Sequence, residues 1–139
     1  MLRQSSTTLL IRAARPGLQE FTNDVRDFLT GVGIREGLMT LFCRHTSASL
    51  IIQENAAPAA RRDLEAYFAR IAPESADYEH DDEGADDMPA HLRSALTATQ
   101  LSIPVQDAKL ALGTWQGIYL FEHRRRPTER QIALHVIGE

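Results

Sequence analysis

Apolar positions change period several times along the chain, and each change marks an element. Ser6 to Ala13 alternates around Leu9 and Ile11, with β-branched Thr7 and Thr8 beside them, which predicts a first strand ended by Pro16-Gly17. From Phe21 the spacing lengthens. Phe21, Val25, Phe28, Leu29 and Val32 form one stripe of a helix, with Thr22 as its cap and the Gly31 and Gly33 region as its end. Gly37 to Arg44 returns to alternation, a strand with Met39, Leu41 and Cys43 on one face and Leu38, Thr40 and Phe42 on the other. His45 would continue the Cys43 side. Ser49 to Ile52 reads as extended. Ala56 to Ile71 reads as a helix opened by Pro58, closed by Pro73, and turning Leu64, Phe68 and Ile71 inward. A short helix from about Met88 to Thr97 pairs Leu92 with Leu96 at i, i+4. Three strands finish the chain: Leu101 to Gln106, Thr114 to Glu122, and Arg130 to Ile137, with turns at Gly113 and from His123 to Glu129. In the middle one Trp115, Tyr119 and Phe121 share a face opposite Ile118 and Leu120. Strands interrupted by helices and ending in adjacent strands predict a single α+β domain over residues 1–139, a mixed or antiparallel sheet packed with about three helices.

Composition narrows this. With 139 residues, 43% hydrophobic and 24% charged, the chain fits one globular domain with its own core. A formal charge of −4 gives no general attraction to nucleic acid or an anionic membrane, so neither is expected as a partner. Arg124-Arg125-Arg126 runs against that balance, but a loop triplet is ordinarily solvated. The single Cys43 excludes an intrachain disulfide and, in an apolar strand, reads as a buried thiol rather than a nucleophile. With no long apolar run and no signal-peptide pattern, a cytoplasmic protein is expected.

The chemistry gathers between Tyr78 and Ser94, which holds two of the five histidines and six of the nineteen acids. So acidic a run cannot build core, and its end has the form of a helix start: Asp87 as N-cap, Pro89 in the first turn, His91 just inside. Free N–H groups there favour anions and keep an imidazole neutral. There is no P-loop, G-x-G-x-x-G, H-E-x-x-H, C-x-x-C or G-x-S-x-G, so any site must be assembled from separated segments. His45, His80 and His91 are the candidate metal ligands, with acids near His80, Asp81 and Asp86 among them, to complete or orient the shell. Thr46, Ser47 and Ser49 either donate to an oxyanion or cap a turn. Arg124 and Arg130 are candidate cations for an anionic ligand, although each is by default a solvated loop residue. Gln116 and Glu122 share the face of Ile118 and Leu120, which calls for a polar cavity or partial solvation there; Trp115 fits core or a subunit contact.

His45-Thr46-Ser47-Ala48-Ser49-Leu50, Glu54-Asn55-Ala56, Tyr78 with His80 and Asp81, Met88-Pro89-Ala90-His91-Leu92, and Leu112-Gly113-Thr114-Trp115-Gln116-Gly117-Ile118 occur in that order, followed by Glu122-His123-Arg124. Together, from about Ser6 to the C-terminus, they resemble the YjbQ-type proteins, also called secondary thiamine-phosphate synthase enzymes. The resemblance implies a compact α+β fold, a homotrimer with sites near subunit boundaries, and a metal or anion site on His45, His80 and His91. It also implies a transferase that joins hydroxymethylpyrimidine diphosphate to thiazole phosphate with loss of pyrophosphate, using a divalent metal ion, zinc or magnesium. On that reading His91, His80, His45, Asp81 and Glu54 carry the chemistry, while Thr46, Ser47, Ser49, Arg124 and Arg130 hold the phosphorylated substrates. Two positions depart from the family pattern: Ala57 replaces a frequent acid and so takes no ligand role, and Asp87 replaces a frequent Asn but still suits an N-cap. Two alternatives stand beside the transferase: a metal-bearing binding or regulatory module for a phosphorylated metabolite, and a metal-dependent hydrolase with Glu54 or Glu83 as general base. A histidine-rich shell suits zinc better than magnesium.

Overall fold

The computed structural model describes residues 1–75, 77–126 and 128–139. Its elements are β1 (Arg3–Ile11), β2 (Gly17–Glu20), α1 (Thr22–Val32), β3 (Gly37–Cys43), β4 (Ala48–Glu54), α2 (Pro58–Ile71), α3 (Asp87–Leu96), β5 (Gln100–Gln106), β6 (Lys109–Leu110), β7 (Gln116–Glu122) and β8 (Arg130–Gly138). They make a five-stranded sheet in the order β1-β8-β3-β5-β6 and a three-stranded sheet in the order β2-β7-β4, with every pairing antiparallel.

Alternation explains how the sheets meet. Met39, Leu41 and Cys43 of β3 join Ile103 and Val105 of β5 and Ile132, Leu134 and Val136 of β8 on the inner face of the larger sheet. Across from them lie Ala48 and Leu50 of β4 and Ile118 and Leu120 of β7, and Val25 and Leu29 of α1 belong to the same core. The other face of β7 carries Tyr119 and Phe121, which with Leu18 of β2 pack under Leu64 and Phe68 of α2. Phe68 meets Phe121 edge-on at 5.2 Å between centroids. β7 is therefore covered on both sides, as its two apolar faces predict.

Several sequence expectations fail for identifiable reasons. Pro16-Gly17 does not simply end a strand; Gly17 opens β2 at φ 114, where a side chain would run into the Glu65 carboxylate. The two-residue β6 is too short for any pattern and follows a tight turn in which Asp107 and Ala108 take φ 51 and 65. Phe21 rather than Thr22 occupies the N-cap of α1. Thr22 Oγ1 instead donates to Glu20 Oε2 (2.7 Å) and accepts the Ile118 N–H (2.8 Å), fastening the helix start to β7. Ile71 is exposed, and α2 buries no residue completely, because only one narrow stripe meets the smaller sheet. Leu96 and Trp115, at 61% and 62% exposure, lie at element ends beyond the packed layers. Among the described residues no helix is long and apolar enough to cross a membrane.

The Thr22 contact makes a direct prediction. Thr22→Val keeps the shape but strips the buried Ile118 N–H of its acceptor, so urea unfolding should show a loss of about 1–3 kcal/mol, while Thr22→Ser stays near wild type.

Candidate metal centre and adjoining cleft

The loop before α3 and the first turns of that helix bring four ligand-type side chains together. Asp87 opens α3 and His91 follows at i+4, so both project from one helix face. His80 and Glu83 reach the same point from the loop. One ligand atom from each of His80, Glu83, Asp87 and His91 lies within 4.8 Å of the others. Asp87 Oδ2 is 2.9 Å from His80 Nε2 and 3.2 Å from His91 Nε2, and Glu83 Oε2 is 3.0 Å from His80 Nε2. Asp87 is buried whereas His80 and Glu83 are exposed, so the group is half in the protein and half in solvent.

Electrostatics suit a cation here. Burial opposes charge on Asp87, but the His80 hydrogen bond and the nearby His91 and Arg124 outweigh it and hold the carboxyl below its usual range. His80 is raised above the ordinary imidazole value by its bond to Asp87, with Asp82 and Glu83 adding to the effect. The donor set fits a zinc-type ion: two imidazoles and two carboxylates, at separations compatible with bonds of about 2.0–2.2 Å after small adjustments. Magnesium, which seeks oxygen ligands, fits it less well.

His91 also borders a cleft of about 830 Å³, which runs to Arg44, His45, Thr46 and Ser47, with Ser94 and Thr99 beside it. His45 faces this cleft and is not in the four-residue cluster. Its Nε2 accepts the Gln131 N–H at 2.8 Å, and burial followed by the Arg130 charge pushes its pKa down, so it is a neutral acceptor. Within this chain His45, expected to share one ion with His80 and His91, stands apart from them, and Glu83 and Asp87 lie beside those two histidines. β3 ends at Cys43, and the chain turns before His45 can follow its face.

The remaining candidates divide. Thr46 and Ser47 line the cleft, but Ser49 is buried below it, 2.9 Å from His123 Nε2 and accepting the Thr97 hydroxyl at 2.5 Å. Asp81 borders a smaller hollow with Tyr78 and His80 and is not among the ligand-type groups. Glu54 sits at the opposite end of β4 from Ala48, about 20 Å along the strand, where its Oε2 accepts the Ala57 N–H (3.0 Å) at the start of α2. It cannot serve this cluster as a base from the same chain. Arg130 is spent on Glu122, with Nε at 2.8 Å from Oε1 and an Nη at 2.5 Å from Oε2, both residues buried. Arg124 is spent on the acidic loop, reaching Asp86 Oδ2 (3.1 Å), Asp87 Oδ1 (2.5 Å) and the Glu83 carbonyl (3.0 Å). Neither arginine is a free cation for a ligand. Asp86 sits at the N-cap of α3 but makes no capping bond, because Arg124 and the Arg125 N–H (2.8 Å) occupy its carboxylate.

Sequence reasoning missed Asp87 as a member of this ligand-type group by reading it as a cap, although its i, i+4 spacing to His91 was a usable signal. It also placed His123 in a turn. His123 is buried against Phe121 at 4.3 Å between centroids, and burial, with Arg93 and Arg130 nearby, pushes its pKa down to about 3.

The fold defines an α+β protein of a recurrent kind. A protein from Sulfolobus solfataricus P2, described as YbjQ-like and of unknown function, superposes with TM-score 0.93 at 24% identity over 100% of both chains. One from Clostridium acetobutylicum, described as an uncharacterized conserved protein of the yjbq/upf0047 family, gives 0.86 at 29% identity over 94% of this chain and 98% of that one. The family model described as UPF0047 protein YjbQ-like matches residues 7–139, and the chain belongs to that family. UPF0047 proteins of Synechocystis (49% identity; 99% of this chain, 94% of that one) and Salmonella typhimurium (42%; 95% and 96%) are similar over nearly their whole length. None of these relatives is described as a thiamine-phosphate synthase, and the Sulfolobus protein is described as of unknown function. The transferase expectation is overturned: the family resemblance carries a fold and no established activity.

His123 supplies a test of the buried site. Between pH 6.5 and about 3 the unfolded chain takes up a proton that native His123 refuses, so its contribution to stability is lost as pH falls through that window, by at most ~1.4 kcal/mol per pH unit. Urea unfolding from pH 6.5 to 4.5 should show a shallower decline in His123→Asn than in wild type.

Proposed function

We propose that this protein binds a divalent transition-metal ion through His80, Glu83, Asp87 and His91 and uses it on a phosphorylated small molecule held in the adjoining cleft. The observation that carries the reading is the convergence of four ligand-type atoms within 4.8 Å beside a cleft that His91 also lines. A bound zinc-type ion supplies Lewis acidity toward a ligand oxygen. The chain's own residues do the rest. Asp87 and His91, one helical turn apart, fix two ligand directions. Arg44 offers positive charge, and Thr46, Ser47, Ser94 and Thr99 offer hydroxyl donors to an oxyanion. His45, kept neutral, holds the cleft wall to Gln131.

Isothermal titration of metal-stripped protein with zinc should give one ion per chain. His91→Ala and Asp87→Asn should each weaken binding by about 10²-fold or more. Affinity should fall as pH drops through the pKa of His80, which lies above 6.5, because the ion needs that imidazole deprotonated. Equal zinc binding by wild type and both variants would remove the site.

We also propose the homotrimer that the resemblance implies. The outward face of the larger sheet leaves Leu10, Leu38 and Phe42 exposed, and Phe42 borders the cleft, so association there would set a second copy at its rim. Sedimentation equilibrium should return the mass of three chains, and Phe42→Glu should shift it toward one. A cytoplasmic location completes the reading, supported by the lone buried thiol of Cys43.

A further inference from the structure

We infer that Arg124 selects which ion the cluster holds, by leaving Asp87 only one oxygen to offer. This rests on the metal reading above and extends it to a residue that does not touch the ion. The guanidinium bonds three groups of the acidic loop: Nε to Asp86 Oδ2 (3.1 Å), one Nη to Asp87 Oδ1 (2.5 Å) and the other to the Glu83 carbonyl (3.0 Å). Its planar fork matches that spread of acceptors, which a single ammonium cannot. Arg124 is itself anchored. Its backbone N–H donates to Glu122 Oε2 (3.2 Å), and the Arg125 N–H donates to Asp86 Oδ2 (2.8 Å).

Two consequences follow for the ion. With Oδ1 turned to Arg124, Asp87 presents only Oδ2 to the two imidazoles, and it acts as a one-oxygen ligand. With its carbonyl tied, Glu83 keeps its carboxylate beside His80. A small four-coordinate ion with nitrogen and oxygen ligands accepts this arrangement. Calcium, which takes six to eight oxygens and often both oxygens of a carboxylate, does not. The positive charge of Arg124 would by itself repel a dication. Asp86, paired to the same guanidinium, offsets that charge and leaves the geometric effect.

The test is the ratio of zinc to calcium affinity, measured by isothermal titration with each ion alone on full-length wild type, Arg124→Met, Arg124→Lys and Asp86→Asn. All four ligand side chains remain in every variant. The expected result is a fall of the ratio by about 10–100-fold in Arg124→Met. Arg124→Lys should fail to restore it, since lysine keeps the charge but not the fork. Asp86→Asn should lower the ratio in the same direction from the side away from the ion, and it stands in if Arg124→Met does not fold. Wild type that binds zinc, with a ratio unchanged in the folded variants or fully restored by lysine, overturns the selecting role alone. Wild type that binds neither ion overturns the metal reading and this inference with it.

Discussion

The ion pair between Glu122 and Arg130 is the constraint on which the rest of the site depends. Glu122 is 1% and Arg130 4% exposed, and taking two charges out of water costs several kcal/mol each unless both are fully hydrogen-bonded. Here the partners are supplied. The carboxylate accepts the Arg130 fork and the backbone N–H groups of His123 (3.0 Å) and Arg124 (3.2 Å), while Arg130 also donates to the Ser47 carbonyl (3.2 Å). One buried pair thus fixes the end of β7, the start of β8, the turn after His45, and the backbone from which Arg124 reaches the acidic loop. Leu120, Phe121 and Ile132 anchor the two strands in the core, but the residues from His45 to Ser47 and from His123 to Arg124 are polar, and this pair is what ties them to the strand ends.

The strands deliver the segments to that pair. The β4–β7 register sets Ala48 against Glu122, so the chain leaving His45 to Ser47 enters the sheet beside the chain leaving toward Arg124. α3 is laid over this corner by short links: Ser94 Oγ to the Ala48 carbonyl (3.3 Å), the Cys43 N–H to the Thr99 carbonyl (2.8 Å), and Leu50 bridged to Ala98. His91, three residues before Ser94 on α3, is thereby set between the cleft and the cluster of ligand-type groups. Precision at the site comes from the sheet register carried through a helix rather than from the loop alone.

How much of this the sequence showed follows from which forces act over short range. Alternation in Gly37 to Cys43 and in β7 was legible because burial on known faces leaves no other arrangement, and the same holds for the Val25 and Leu29 stripe of α1. Ile71 and Leu96 were misplaced because an apolar side chain at an element end can stay in water at little cost, and Trp115, read as core or a subunit contact, is not core in this chain. At the site, His80 and His91 stood out as histidines in a stretch too acidic for core. Asp87 was read as a cap because a cap and a ligand-type group call for the same residue; the structure puts Asp86 at the N-cap and sets Asp87 beside His80, His91 and Arg124. Glu122 stood out as a carboxylate on a largely apolar strand face and was read as facing a polar cavity or solvent; it is instead buried and paired with Arg130. Its partner Arg130 lies across a turn whose path the sequence does not specify.

Family membership fixes the fold, yet the cluster's own asymmetry says more about chemistry than the family description does. Asp87 and His91 sit on a helix, where backbone hydrogen bonds hold their directions; His80 and Glu83 sit on an exposed loop held chiefly through Arg124. On the proposed metal reading, an ion entering from solvent would meet the exposed loop pair first, and those side chains are the freer of the two pairs to adjust to it. The helix pair need not move. On that same reading, ligands fixed on the cleft side and adjustable ones on the solvent side would let an ion exchange without disturbing the wall of Thr46, Ser47 and Ser94. That division requires the loop to be tethered but not buried, the condition that three hydrogen bonds from one partly exposed arginine provide.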